Sequence, residues 1–213
     1  MMAFVLMTFM GSFTPSLSAA EIPSPLKKIE SKYASAKSLE AIFFQNTFSK
    51  LTNSKKETTG VITLKIPDKF RWETLNPGKD KNLFVSDGRK FWSYTPPFMD
   101  GEKGQVLEKK TSEIQSQLAT QLLSGAFSKI KDAKFETVSD DVFRLVPKKG
   151  TAGTIEKIEL SVNSKQALVE KVKLIHDNGN ESEVKLSAIK FGEKFEDAYF
   201  RFAVPSGVEV IRE

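Results

Sequence analysis

The stretch "PDKFRWETLNP", residues 67–77, alternates with a period of two. Successive side chains of an extended strand point to opposite faces, so Phe70, Trp72 and Thr74 share one side and Arg71, Glu73 and Leu75 the other. A second aromatic strand, "RKFWSYTPP" (89–97), follows the turn former "SDG" (86–88). Neither strand carries a catalytic-looking residue. The rings must therefore face something that wants apolar surface.

Working outward, the same period recurs in short runs separated by Pro, Gly, Asn and Asp. On the N-terminal side lie "LEAIFFQNTFSK" (39–50) and "TTGVITLKI" (58–66), with the lysine-rich "LTNSKKETTG" (51–60) as a hairpin loop between them. On the C-terminal side come "KNLFVSDG" (81–88), "QVLEKK" (105–110), "AKFETVS" (133–139), "DVFRLVPK" (141–148), "TIEKIELSVN" (154–163), "ALVEKVKLI" (167–175), "ESEVKLSAIKFG" (181–192) and "AYFRFAVP" (198–205). Asp140-Asp141, "NSKQ" and "HDNGN" supply turns, and Asn178-Gly179 is the strongest hairpin signal. Short strands at this spacing predict an antiparallel sandwich or barrel, laid out as one long meander.

Two segments depart from the period. In "SPLKKIESKYASAKS" (24–38), Ser24 as N-cap, Pro25 at the first helical position and the spacing of Leu26, Ile29 and Tyr33 predict a helix over 24–37. In "TSEIQSQLATQLLSGAF" (111–127), Ile114, Leu118, Leu122 and Ala126 recur every four residues beside a row of Ala119, Leu123 and Phe127. That predicts a one-sided apolar helix over 112–127, with Ser112 and Gln115 as a capping box and Gly125 as its stop.

A long antiparallel sheet curls, and its concave side has to be filled or covered. Laying both helices across the open side of a half-barrel brings Leu26, Ile29, Ile114, Leu118, Leu122, Leu123 and Phe127 against the rings of the strands. The candidate wall residues are Phe70, Trp72, Phe84, Trp92 and Tyr94, and alternation alone leaves open which face is concave. It also leaves open whether the interior is a solid core or a pocket under a lid. The 17 Phe, against 5 Trp and Tyr together, give a curved wall of flat rings that suits acyl chains.

Composition removes several classes of function. The chain of 213 residues has no Cys, which excludes disulfides, thiolate metal sites, a cysteine nucleophile and a lipid-modified cysteine anchor. Its one histidine, His176, lies in the turn "HDNGN" without a nucleophile elbow nearby and reads as a surface residue rather than part of a Ser-His-Asp triad. Asp87 reads as a turn former, and no metal or cofactor motif is present. The net charge of +5 comes from interspersed Lys and Glu, which fits solvated faces rather than a nucleic-acid partner. Residues 1–20 contain no Lys, Arg, Asp or Glu; their apolar run is too short to span a bilayer, and Ser18-x-Ala20 predicts cleavage after Ala20. The leader lacks the usual basic n-region, which leaves a start codon assigned too far downstream, or an uncleaved anchor, as alternatives. Residues 21–213 then form a single domain.

Six elements in order carry a resemblance: Phe44 with Gln45 (or Phe43), Gly60 to Trp72, Ser86 to Gly88, Trp92 to Pro96, Leu122 to Gly125, and Phe200 to Val208. Together they resemble the outer-membrane lipoprotein carrier (LolA) family over essentially the whole chain after the leader. The resemblance implies an unclosed β-barrel with an α-helical lid in the periplasm. It also implies a non-enzymatic, cofactor-free chaperone that accepts acylated lipoproteins from an inner-membrane ABC transporter and passes them to an outer-membrane receptor. That receptor, LolB, shares the fold but is anchored through an N-terminal Cys, so this chain resembles the soluble carrier, a monomer. There is one departure. Many carriers have Arg before the proline of the strand motif, where it ties down the lid, and here Ile66 precedes Pro67. A half-barrel binding another lipid, a periplasmic sensor relative, and a filled-core structural domain are the competing readings.

Overall fold

A computed structural model of the protein describes residues 22–75, 82–97, 99, 101–111, 117–130 and 133–212. Helix α1 (Ser24–Ala36) leads into strands β1 (Ser38–Ser49), β2 (Ser54–Lys65), β3 (Lys69–Thr74), β4 (Leu83–Asp87), β5 (Lys90–Thr95) and β6 (Gln105–Lys110). Helix α2 (Gln117–Leu123) and a 3₁₀ turn, Phe127–Lys129, then carry the chain to β7 (Ala133–Ser139), β8 (Val142–Pro147), β9 (Ile155–Asn163), β10 (Leu168–His176) and β11 (Glu181–Phe191). A second 3₁₀ turn, Asp197–Phe200, precedes β12 (Glu209–Arg212).

All twelve strands belong to one sheet, ordered β12-β6-β5-β4-β3-β2-β1-β11-β10-β9-β8-β7. The sheet is unclosed: β12 and β7 are its two edges among the described residues. It is not the single meander that the strand spacing predicts. Two meanders, β1–β6 and β7–β11, are fused through the antiparallel β1–β11 pair, where Phe43 faces Leu186 and Gln45 faces Val184. The α2 segment makes this possible by taking the chain from β6 on one side of the sheet to β7 on the far edge.

Three local expectations are corrected. Helix α1 is capped at Pro23 without a side-chain bond, and Pro25 sits in its first turn, so Ser24 is already helical. The loop predicted over 51–60 is only Lys50–Asn53, because β1 and β2 stay in register down to Ser49 opposite Ser54. Cross-strand pairing overrides the poor strand propensity of Lys55, Lys56 and Glu57. Finally, "AYFRFAVP" is no strand: it holds the second 3₁₀ turn, and the last strand lies further on, pairing parallel with β6.

The main core lies on one face of the sheet, between strands and helices. It takes Leu39, Ala41 and Phe43 from β1, Ile62 and Leu64 from β2, and Val172, Val184 and Leu186 from β10 and β11, together with Leu26, Ile29 and Tyr33 of α1 and Leu122 and Leu123 of α2. A small second core of Val85, Trp92 and Val106 occupies the opposite face.

Candidate functional site

The register of β2 to β5 decides which rings share the helix-covered face. Trp72 stands between Ile62 of β2 and Phe84 of β4, and Phe70 between Leu64 and Ser86, whose partner on β5 is Phe91. The result is a patch of aromatic wall. Phe84 and Phe91 stack with centroids 6.3 Å apart, Phe70 lies 6.0 Å from Phe91, and Trp72 tilts against Phe43 at 4.2 Å. Phe43 itself lies over its cross-strand partner Gly60, where a Cβ would come within 2.5 Å of the ring. Glycine at residue 60 is what lets the ring lie flat on the sheet.

The helices enter the same core with the residues that the periodicity selects, α1 lying against β1 and α2 against β10. Leu26 and Ile29 of α1, Leu122 and Leu123 of α2 and Phe127 beyond it are all buried in the common core. Leu118 packs against the same core while only partly buried. Ile114, with the capping pair Ser112 and Gln115, lies outside the described residues. Helix α2 stops as predicted: Gly125 takes a left-handed φ of 67°, and the Gly125 and Ala126 N–H groups return to the carbonyls of Leu122 and Gln121. That double bond is a Schellman end. Gly125 also sits so close to α1 that a Cβ there would stand 3.0 Å from the Tyr33 ring.

Burial across the site is uneven. The helix residues at the α1 end have lost essentially all exposure, whereas Trp72, Phe84, Leu118 and Leu174 keep part of theirs. The aromatic side of the site is therefore less sealed than the α1 side.

Polar ties hold the helices in place. The Tyr33 hydroxyl accepts the Val169 N–H at 2.9 Å, and burial pushes its pKa up to about 12 despite that bond. Glu30 of α1 accepts from the Ser128 N–H and hydroxyl at 3.0 and 2.6 Å. Lys129 pairs with Asp68 of the β2–β3 turn at 3.0 Å. Ile66, where the resemblance leads to an expectation of arginine, packs against the main core instead, ahead of a cis bond to Pro67.

Trp92 and Tyr94 are not brought to this wall. Trp92 pairs with Val85 and Glu108, and Tyr94 with Leu83 and Val106, all on the opposite face. There the C-terminal segment covers them: Tyr94 meets Phe202 at 5.3 Å, and the Trp92 indole N–H donates to Glu108 at 3.3 Å. The same face holds Asp197 against Lys65 and Lys69, at 2.6 and 2.8 Å, which lowers its carboxyl to a pKa of about 2. Arg71 stacks over Tyr199 at 5.0 Å beside its ion pair with Glu73. The sequence reading missed Phe91 on the wall because its neighbour, Trp92, is the larger ring. The signal was available, since "SDG" as a two-strand turn sets Phe91 opposite Ser86 and so on the side of Phe70.

His176 stays in its turn, with Nδ1 2.8 Å from the Thr154 hydroxyl. No group of three or more His, Cys, Asp or Glu side chains suited to a metal occurs among the described residues, and no described helix is long and apolar enough to cross a membrane.

Comparison with known proteins agrees with this geometry. The family model "Outer membrane lipoprotein carrier protein LolA" matches residues 34–203. An outer-membrane lipoprotein carrier protein of Pseudomonas paraeruginosa is 30% identical over 213 residues, covering 99% of this chain and 97% of the relative. Another, of Psychromonas ingrahamii, is 31% identical over 97% of this chain and 95% of its own. Among solved structures, an uncharacterized conserved protein of Thermus thermophilus aligns with a TM-score of 0.52 at 15% identity, covering 89% of this chain and 97% of that one, which shows the fold alone. With the match spanning most of the sequence and relatives of this identity at nearly full length, the chain belongs to the LolA family of outer-membrane lipoprotein carrier proteins.

Proposed function

We propose that this protein is a periplasmic, non-enzymatic carrier that takes up the acyl chains of lipoproteins leaving the inner membrane and delivers them to the outer membrane. One observation carries the reading. The core that the aromatic wall runs into is covered by helices, α1 over β1 and α2 over β10, rather than by more strands, and Trp72, Phe84 and Leu118 remain only partly buried against it. A helix can leave such a wall without breaking the sheet's hydrogen bonds. Phe70, Trp72 and Phe84 then form the cargo wall, and Leu26, Ile29, Leu118, Leu122, Leu123 and Phe127 the displaceable lid, joined by Ile114. Trp92 and Tyr94 serve the outer core instead.

Burying an acyl chain stabilises by about 0.8 kcal/mol per CH₂, so one long chain gains on the order of 10 kcal/mol on leaving water. That is enough to displace a few lid side chains, each contributing about 1.5–3 kcal/mol. In this reading residues 1–20 are a leader removed after Ala20, and residues 21–213 work as one monomeric domain. An inner-membrane ABC transporter supplies the cargo and a LolB-like receptor accepts it. The test is release of a labelled lipoprotein from spheroplasts by the purified protein. Wild type should release it as a soluble complex with intact acyl chains, and Trp72→Ala, on the cargo wall, should release several-fold less. Equal release with and without the protein, or hydrolysed acyl chains, would refute the reading.

A further inference from the structure

We propose that the tip of the β1–β2 hairpin is a membrane-contact site, seating Leu51 in the interface of an anionic lipid bilayer while Lys50 and Lys55 meet its headgroups. Leu51 is 94% exposed, far beyond any other large apolar side chain among the described residues. A single exposed leucine is ordinary on a protein surface. Here it coincides with two further features.

The first is a firm, projecting arm. β1 and β2 remain paired to Ser49 opposite Ser54, and the tip is closed by Asn53 at a left-handed φ of 48° and by a 2.8 Å bond between the Thr52 and Ser54 hydroxyls. β3 pairs with β2 from Gly60 and the Leu75 N–H still reaches the Thr59 carbonyl, so residues 54–58 run about 16 Å beyond that pairing at the usual rise per residue. On the other side the β10–β11 turn braces the arm, with Asn180 Oδ1 accepting the Lys50 N–H at 3.0 Å. A leucine on such an arm is held out in water and loses little freedom on contact.

The second feature is charge. Lys50 and Lys55 flank Leu51 and are both exposed. The Asp177 N–H bonds to the Thr154 carbonyl at 2.9 Å, which joins the brace to the β8–β9 loop and its exposed Lys148 and Lys149. Glu57, Asp177 and Glu181 are the nearest acids along the hairpin and its brace, and Glu181 is paired with Lys173 at 2.8 Å, so cations prevail there. One apolar residue among lysines gives weak, salt-sensitive and reversible attachment to anionic lipid. Such attachment would hold the protein beside a bilayer without trapping it there.

The inference does not rest on the carrier reading, and its test uses empty protein. In flotation with vesicles of phosphatidylethanolamine and phosphatidylglycerol, wild type should float at low salt, and with phosphatidylcholine alone it should not. Leu51→Asp, and separately the pair Lys50→Glu with Lys55→Glu, should each reduce flotation by about fivefold or more. Leu51→Trp should float at least as well as wild type, because tryptophan favours the interface. Equal flotation of wild type and Leu51→Asp, or no wild-type flotation on the anionic vesicles, would overturn the proposal. Lipoprotein release from spheroplasts by Leu51→Asp reports on the carrier reading separately.

Discussion

Leu122→Ala separates a displaceable lid from an ordinary core. Leu122 has no exposed surface and sits one turn from the Schellman end of α2, against the core shared with Leu26, Ile29 and Phe127. Truncation removes buried carbons and leaves a cavity, which costs about 2.7–5 kcal/mol for leucines of this kind. With a urea dependence of about 2 kcal/mol per M, the unfolding midpoint should fall by roughly 1.5–2.5 M. If α2 must leave the wall before cargo enters, the same loss falls on the closed state alone, because an open lid exposes residue 122 in either variant. Each 1.4 kcal/mol is tenfold in an equilibrium constant, so affinity for a fluorescent long-chain acyl probe should rise by about 100-fold at the lower cost and by up to a few thousandfold at the higher, until the open state prevails. Both readouts are needed. A lower midpoint with unchanged probe affinity would refute the lid and leave Leu122 as plain core, and an unmoved midpoint would refute its burial.

The faces of the sheet give a second pair of expectations: Trp72→Ala should lower both stability and acyl-probe affinity, whereas Trp92→Ala should lower stability alone, by about 3–5 kcal/mol at most. Gly125→Ala meets a left-handed φ of 67° and the Tyr33 ring at 3.0 Å, so it should destabilise by about 1–3 kcal/mol in denaturant titration. Gly192→Ala, at a φ of 75° with nothing within 4 Å, is the control and should cost only the smaller backbone part. Tyr33 supplies a pH expectation: burial raises its folded pKa from 10.0 to about 12, so its contribution is full below pH 10 and lost as pH rises through 12. The decline should be on the order of 2–3 kcal/mol between those values and absent in Tyr33→Phe, read from urea midpoints across the range.

Much of this architecture is legible in the residues, because the strands keep a period of two and one face of each is apolar. Eleven of the twelve predicted runs contain a strand, and both helices lie where the four-residue recurrence puts them within the described residues. What sequence withholds is relative. Alternation places Phe70 with Trp72, and Trp92 with Tyr94, but says nothing about which pair turns toward the helices until strand partners are known. Trp92 and Tyr94 are apolar for a different reason: a C-terminal segment covers them, and it resembles a strand in composition while packing its rings edge-on, Tyr199 on Phe200 at 5.4 Å. The β1–β11 pairing is equally invisible locally, since its partners lie more than a hundred residues apart.

Ile66 sharpens the question of what keeps the empty form closed. Among the described residues, one tie from the helical layer to the sheet is buried, the Tyr33 hydroxyl accepting the Val169 N–H, and the others are wet: Lys32 donates to the Gln166 carbonyl at the surface, and Lys129 and Asp68 are 46% and 55% exposed, an ion pair so placed contributing about 0–1 kcal/mol. The Glu30 bonds to Ser128 join one helical segment to another and would travel with the lid rather than hold it to the sheet. Against these stand Leu122, Leu123 and Phe127, each at most 1% exposed and each contributing about 1.5–3 kcal/mol by burial. On the carrier reading, closure would be chiefly apolar, with Ile66 beside Pro67 contributing to it as an aliphatic side chain rather than as a donor. A lid held by polar bonds would need a specific competitor for each of them. One held by burial yields to any chain that buries the same apolar surface with more methylene than the helix does, so on the carrier reading the forces that would close this protein when empty are the ones an acyl guest would take over.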